Sequence, residues 1–253
     1  MKDRTFPDHV LITGAGGSLG RELSLELAAM GSHLSLCDIN GEQLEEVLGM
    51  ARISDFLVAS ARVDTADSDA MEAFITRADA SRPIDWVIAG AGITEPRPMD
   101  PFTLSTGVME VNFTGVLNTV FPAIRAMVKR GRGHVVLISS MASFLGFPRV
   151  PQYAASKAAV RVFGRSLRYW LRREGIGLTI ACPGFFPSGM SHNDQPRPGG
   201  LDAMTAAHKI ILGVLKRKNQ LVFPRSQGLI LKVLSILPVS LQDRFFERVL
   251  KRE

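Results

Sequence analysis

Residues 9–29, HVLITGAGGSLGRELSLELAA, constrain the fold more than any other stretch. An apolar run of β-prone residues leads into a turn with glycines at 14, 16, 17 and 20. Leucines at 19, 23 and 27 then recur at helical spacing. A strand that turns directly into a helix must bury both elements against further layers. The economical solution is a parallel sheet flanked by helices.

The rest of the chain repeats the unit. Short apolar runs at 33–38, 55–64, 84–92, 134–140, 177–184 and 220–224 alternate with helix-period segments at about 19–30, 41–50, 67–80, 103–130, 152–174 and 202–217. The runs are rich in Val, Ile and Leu without strict alternation, as expected of strands covered on both faces. The expected fold is therefore α/β: a Rossmann-type, doubly wound parallel sheet of about seven strands with right-handed crossovers. At 253 residues with 46% hydrophobic side chains, the chain needs no disulfide to hold a core. Residues 1–225 are read as a single domain and 226–253 as its basic, amphipathic helical extension, interrupted at Pro238. Cys37 and Cys182 lack metal-ligand spacing, so buried free thiols and no metal are expected.

No signal peptide and no run of about 20 apolar residues is visible. A cytoplasmic location follows as an expectation, with peripheral membrane contact through the tail as its variant. The net charge of +6 is concentrated near helix ends, where cations suit the helix dipole. No nucleic-acid motif accompanies it, so a nucleic-acid partner is not expected.

The glycine-rich turn points to a dinucleotide. Glycines let backbone N–H groups approach a pyrophosphate, and the following helix N-terminus favours its charge. Asp38 ends the second strand, 18 residues after Gly20. A carboxylate there accepts hydrogen bonds from both ribose hydroxyls and repels a 2′-phosphate, which favours NAD over NADP. Candidate contacts are Gly14, Gly16, Gly17, Ser18, Leu19 and Gly20 in the turn, and Asp38 at its strand end. Asp64, ending the third strand, either meets the adenine or caps the next helix. Ala91 and Gly92 lie in the segment AGAG.

The series TGAGGSLG (13–20), AGAG (89–92), EVNFTG (110–115), ISSMAS (138–143), YAASK (153–157) and CPGFFPS (182–188) resembles the classical short-chain dehydrogenase/reductase family in order and spacing. The resemblance covers about residues 8–224. It implies an NAD(P)-dependent oxidoreductase acting on a small alcohol or carbonyl substrate, commonly a homodimer or homotetramer. It also implies four catalytic positions: Asn112, Ser140, Tyr153 and Lys157, with Ser139 and Ser143 as weaker candidates for the serine. Pro183, Gly184 and Ser188 would orient the nicotinamide carboxamide. Two departures stand out. Ser18 occupies a family glycine position, and AGAG replaces the usual NNAG with its bracing asparagine.

Tyr153 and Lys157 are four residues apart, one face of a helix. A phenol with a pKa of about 10 is a weak base near neutrality. A lysine charge about 4 Å away is worth roughly 4 kcal/mol at an effective dielectric of about 20. The expectation is a phenol lowered by some two to three pKa units before opposing effects. Tyr169 has no such company and reads as a helix-packing residue. The segment 187–200, with Met190, His192 and Asn193, is expected to close over substrate. Phe144, Leu145, Phe147 and Val150 would form an apolar wall or pack on their own domain. The tail is expected to pack on its own domain or a partner, cover the substrate mouth, or lie on a membrane. A non-catalytic nucleotide-binding sensor or scaffold on the same fold, membrane-peripheral through the tail, is the alternative.

Overall fold

The computed structural model describes residues 6–95, 106–185 and 201–250. Seven strands form one fully parallel sheet: β1 (His9–Thr13), β2 (His33–Asp38), β3 (Leu57–Arg62), β4 (Trp86–Ala89), β5 (Gly133–Ile138), β6 (Ile176–Pro183) and β7 (Gln220–Phe223). Their order is β3-β2-β1-β4-β5-β6-β7. The chain therefore reverses its winding between β1 and β4, which opens a crevice at the carboxyl ends of those strands.

Alternate residues of the central strands feed two cores. Val10 and Ile12 of β1, Ile88 of β4 and Val136 of β5 face one side, with α1 (Ser18–Ala29), α2 (Gly41–Leu48) and α3 (Ala51–Ser54). Leu11, Val87, Val135 and Leu137 face the other. That side is covered by α4 (Ser68–Ser81), α6 (Gly115–Arg130) and α7 (Pro151–Arg173). A short helix, α5 (Thr106–Met109), precedes α6, and α8 (Ala203–Leu215) lies over the first core. Strand β3 departs from the doubly covered expectation. It is the sheet edge, half-exposed along most of its length.

Three further features matter. The long helix expected over 103–130 is interrupted, because Glu110–Thr114 winds as a wider π-turn between α5 and α6. The tail forms α9 (Arg225–Leu234) and α10 (Val239–Leu250), broken at Pro238 as expected. Its Phe246 stacks edge-on against Phe147, 5.6 Å between ring centres, so it packs on its own chain beside the crevice. Tyr169 is not a packing residue: it is 68% exposed beside Trp170 at 70%. Helical period shows that α7 has two faces but not which one meets water. Both cysteines are free and buried, and no cluster of metal-binding side chains occurs among the described residues.

Candidate active site

A cleft of about 1170 Å³ runs across the crevice from the β2 end to the start of α7. The glycine-rich turn, Asp38, Asp64, Ala91, Gly92, Ser140, Tyr153, Lys157, Pro183 and Gly184 all line it. Residues separated by up to 170 positions in sequence are thus brought to one surface. Ser188, Met190, His192 and Asn193 lie outside the described residues.

Glycine is required at two points of the turn for different reasons. Gly14 has φ +71°, a left-handed conformation that side chains resist. Gly20 lies against backbone: a Cβ there would collide with the Gly14 carbonyl oxygen and come within 2.8 Å of Ala15 Cα. Ser18, by contrast, begins α1 without a positive φ, so the turn does not demand glycine there. Its Oγ is buried with no hydrogen-bond partner. A buried orphan hydroxyl at a helix N-terminus fits a phosphate oxygen, and the glycine cradle leaves backbone room for one. Gly20→Ala is expected to cost about 1–3 kcal/mol of stability through overpacking and to abolish the melting shift given by NADH. Gly17→Ala, whose Cβ would meet nothing nearer than 3.5 Å, is the control and should melt like wild type.

The AGAG departure is also accommodated. The Thr13 hydroxyl accepts from the N–H groups of Gly90 (3.2 Å) and Ala91 (3.4 Å), tying β1 to the segment after β4. A Cβ at Gly90 would sit 2.8 Å from the Thr13 carbonyl oxygen, so an asparagine there would push the strands apart.

At the β2 end the Asp38 carboxylate is held by two backbone donors, Gly16 N–H and Asn40 N–H, each at 2.9 Å. Asp64 accepts from Ala66 N–H at 2.9 Å, and the helix-capping role belongs instead to Asp67, which accepts from Asp69 and Ala70. Asp64 thus remains a wall of the cleft.

At the other end, Ser140 caps a short 3₁₀ turn over Met141–Phe144, its Oγ accepting from Ala142 N–H at 3.1 Å. The same hydroxyl acts on the Tyr153 phenol, favouring its ionised form. The alternatives are committed elsewhere. Ser139 Oγ donates to the Lys157 carbonyl at 2.8 Å, and Ser143 Oγ donates to the Ser140 carbonyl at 2.6 Å. Lys157 Nζ donates to the Ile138 carbonyl at 3.1 Å. Asn112 does not line the cleft. Its side chain accepts from Ile93 N–H (2.7 Å) and donates to the Ile93 carbonyl (2.8 Å) and to Ser156 Oγ (3.0 Å). The π-turn carries it to this position. A Cβ on Gly92 would lie 3.1 Å from both Asn112 Oδ1 and Lys157 Nζ, so the two meet behind that glycine.

The electrostatics reverse one expectation. The Tyr153 phenol is pushed above its ordinary value, chiefly by burial. The Ser140 hydroxyl opposes that rise, and the Glu95 carboxylate adds to it. Lys157 Nζ is 5.7 Å from the Tyr153 ring centre. Burial also lowers Lys157 itself to about 8, which leaves it mostly charged at neutral pH. Removal from water outweighs the cation.

Glu95 is the residue that sequence reasoning missed. It is buried, and one carboxylate oxygen accepts from Gln152 N–H (2.6 Å) and Tyr153 N–H (3.0 Å) at the start of α7. It therefore fixes the helix that carries Tyr153 and places a negative charge beside the phenol. Its only sequence signal is an acid three residues after Gly92, far from the helix it serves. The aromatic wall divides: Phe147 and Val150 line the cleft, whereas Leu145 is buried and Phe144 lies under the Arg161 guanidinium.

A family model described as short chain dehydrogenase matches residues 8–198. The chain belongs to that family. As a short chain dehydrogenase it is 31% identical over 243 residues to an uncharacterised oxidoreductase of Myxococcus xanthus, covering 94% of this chain and 96% of the relative. It is 33% identical to epidermal retinol dehydrogenase 2 of Homo sapiens, covering 91% of this chain and 78% of that protein. A gluconate 5-dehydrogenase from Burkholderia cenocepacia, solved with NADP and tartrate, superposes with TM-score 0.76 at 28% identity, covering 87% and 95% of the two chains. A short chain dehydrogenase/reductase from Burkholderia phymatum, solved with NAD, shares the fold with TM-score 0.81 at 21% identity, over 90% and 92%. Oxidoreductase chemistry with a nicotinamide cofactor is the family's activity, and this short chain dehydrogenase has a cleft that fits such a cofactor.

Proposed function

We propose that the protein is an NAD(H)-dependent oxidoreductase that interconverts a secondary alcohol and a ketone or aldehyde, with an apolar substrate. The observation that carries this reading is the convergence of Ser140, Tyr153 and Lys157 on one end of a cleft whose other end is Asp38. The bound nicotinamide supplies or accepts the hydride. Ser140 and Tyr153 hold the substrate oxygen. Tyr153 gives it a proton when a carbonyl is reduced and removes one when an alcohol is oxidised. A phenol held above its ordinary value remains protonated at neutral pH, which suits the reducing direction. Lys157 binds the nicotinamide ribose, and Asn112 acts as a brace that sets Gly92 and Ile93 against α7. Ser18 receives a phosphate oxygen. Phe147, Val150, Ile230 and Phe245 at the substrate side support an apolar molecule, as does the likeness to a retinol dehydrogenase. The two sequence departures that favoured a non-catalytic sensor leave the cradle intact.

Self-association belongs to the same proposal. Phe121 on α6 and Val162, Tyr169 and Trp170 on α7 are exposed apolar groups on the helices that the family uses for dimers and tetramers. No described helix is long and apolar enough to cross a membrane.

The test is NADH oxidation with a panel of apolar ketones and aldehydes, followed as a function of pH. Turnover that fails with every member despite NADH binding would sink the reading. Glu95→Gln supplies a sharper check. The carboxylate raises the phenol's pKa, so neutralising it should lower that pKa. Tyr153 then loses its proton earlier, and the alkaline fall in carbonyl reduction moves to lower pH. Glutamine retains an oxygen for the Gln152 and Tyr153 N–H groups, so the protein should keep its fold. An unmoved alkaline limb would show that Glu95 does not act on Tyr153.

A further inference from the structure

A second cleft, of about 580 Å³, lies between α7, the 3₁₀ turn and α9, separate from the catalytic cleft. Arg161, Arg165, Arg168 and Lys232 line it, together with Gln220 and Ser235. The three arginines recur at intervals of four and three along α7, which places them on one helix face. Among the described residues no carboxylate lines the cleft and none of the four cations is in an ion pair. Arg161 is built into position: Nε and Nη2 both donate to the Ser143 carbonyl, at 3.2 and 2.9 Å, and the guanidinium lies 4.5 Å over the Phe144 ring. Burial and the neighbouring Arg165 charge push Arg161 below its ordinary value, a cost that an anion would relieve. Helix-end dipole compensation does not explain the group, because Arg161 lies more than three turns before the end of α7.

The cleft runs into an apolar stripe. Leu229 and Val233 lie one turn apart on α9 and Ile236 follows in the turn after it; they are 64%, 49% and 80% exposed. Ile236 belongs to both stripe and basic cleft, and the exposed Ile230 next to Leu229 lines the catalytic cleft. On α10, Leu241 and Phe245 are exposed on the face that carries Arg244 and Arg248. Ile236 thus joins the apolar stripe to the basic cleft, and Ile230 brings it beside the catalytic mouth.

We infer that this surface docks on an anionic phospholipid bilayer, with Arg165, Arg168 and Lys232 taking a lipid phosphate while Leu229, Val233 and Ile236 enter the headgroup boundary. Cations with buried apolar neighbours are what such an interface selects. A second copy fits less well, because an isologous contact through this face would set like charges near one another. A polynucleotide would leave the aliphatic stripe in water. The inference rests on the proposed function only for its consequence: an apolar alcohol or ketone dissolved in the bilayer enters the catalytic cleft past Ile230.

The test is sedimentation of the full chain with vesicles, without substrate, so that its outcome is independent of turnover. Vesicles of phosphatidylglycerol and phosphatidylcholine should pellet the protein, and phosphatidylcholine alone should leave it in solution. Each cation removed near an anionic surface should weaken binding about fivefold, so Arg165→Gln with Arg168→Gln should weaken it about 25-fold. Leu229→Ser with Ile236→Ser should weaken it at unchanged charge. Both double variants should retain the wild-type melting shift with NADH, which reports their fold. Sedimentation that ignores phosphatidylglycerol, or that survives both double variants, would overturn the inference. Two further outcomes would also overturn it, each with no vesicle binding. One is stabilisation by inorganic phosphate that the arginine variant loses, which assigns the cleft to a soluble phosphate. The other is conversion of an oligomer to a smaller species by the same variant, measured by light scattering, which assigns it to a second copy.

Discussion

Tyr153→Phe should lower kcat for carbonyl reduction by about a hundred- to ten-thousandfold, the range of a lost general acid or base, while the melting shift with NADH stays at its wild-type value. Phenylalanine keeps the ring and removes one hydroxyl. Ser140 Oγ keeps the bond it accepts from Ala142 N–H, and its own O–H faces the open cleft, where water can accept from it. The stability change should therefore be about 1 kcal/mol or less. Lys157 remains anchored on the Ile138 carbonyl, and the phosphate cradle lies at the far end of the cleft, so cofactor binding has no reason to fall. Tyr169→Phe is the matched control. Tyr169 is exposed and outside the cleft, and its variant should turn over like wild type. Equal kcat for Tyr153→Phe and wild type would remove Tyr153 from the chemistry and return the non-catalytic sensor to first place.

What could be read from the sequence was local. The glycines of residues 14–20 and Asp38 belong to one βαβ unit, so spacing alone placed them around the same end of the sheet. Tyr153 and Lys157 share a helix, and their four-residue interval fixed a common face. What could not be read was tertiary. Burial decides the direction in which the phenol shifts, and burial depends on every element around α7 rather than on the partner one turn away. Glu95 meets α7 across 57 residues, a contact that no periodicity announces. The π-turn around Asn112 is held by bonds to Ile93 across 19 residues, whereas the amphipathic pattern simply continued as α-helix. Ser18 departs from the family's glycine, and the sequence alone leaves open whether it bonds a phosphate or crowds the turn. The structure shows that the demanding positions are Gly14, through its φ, and Gly20, through its contact with backbone.

Asp38→Asn should shift the balance between NADH and NADPH toward NADPH by tenfold or more, read as the ratio of the two dissociation constants by titration. In the wild type the carboxylate cannot swing away cheaply, because Gly16 N–H and Asn40 N–H hold one oxygen each. A 2′-phosphate within about 5 Å carries up to two negative charges. At a dielectric of about 40, suited to a half-exposed group, the repulsion is about 3 kcal/mol, or a hundredfold and more in affinity. Asparagine removes the charge and keeps an acceptor for one of the two backbone donors. NADH should lose affinity at the same time, because a carboxylate accepts from both ribose hydroxyls and an amide oxygen does so less strongly. The opposite outcome also has a structural meaning. Arg62 is paired in register with Asp38 on β3, and its Nε donates to the Ile39 carbonyl at 3.0 Å. If the wild type prefers NADPH, Arg62 is the cation that offsets Asp38. Arg62→Gln should then weaken NADPH binding and leave NADH untouched. If NADH is preferred, the same Arg62 variant should change neither, and Asp38 alone sets the choice of cofactor.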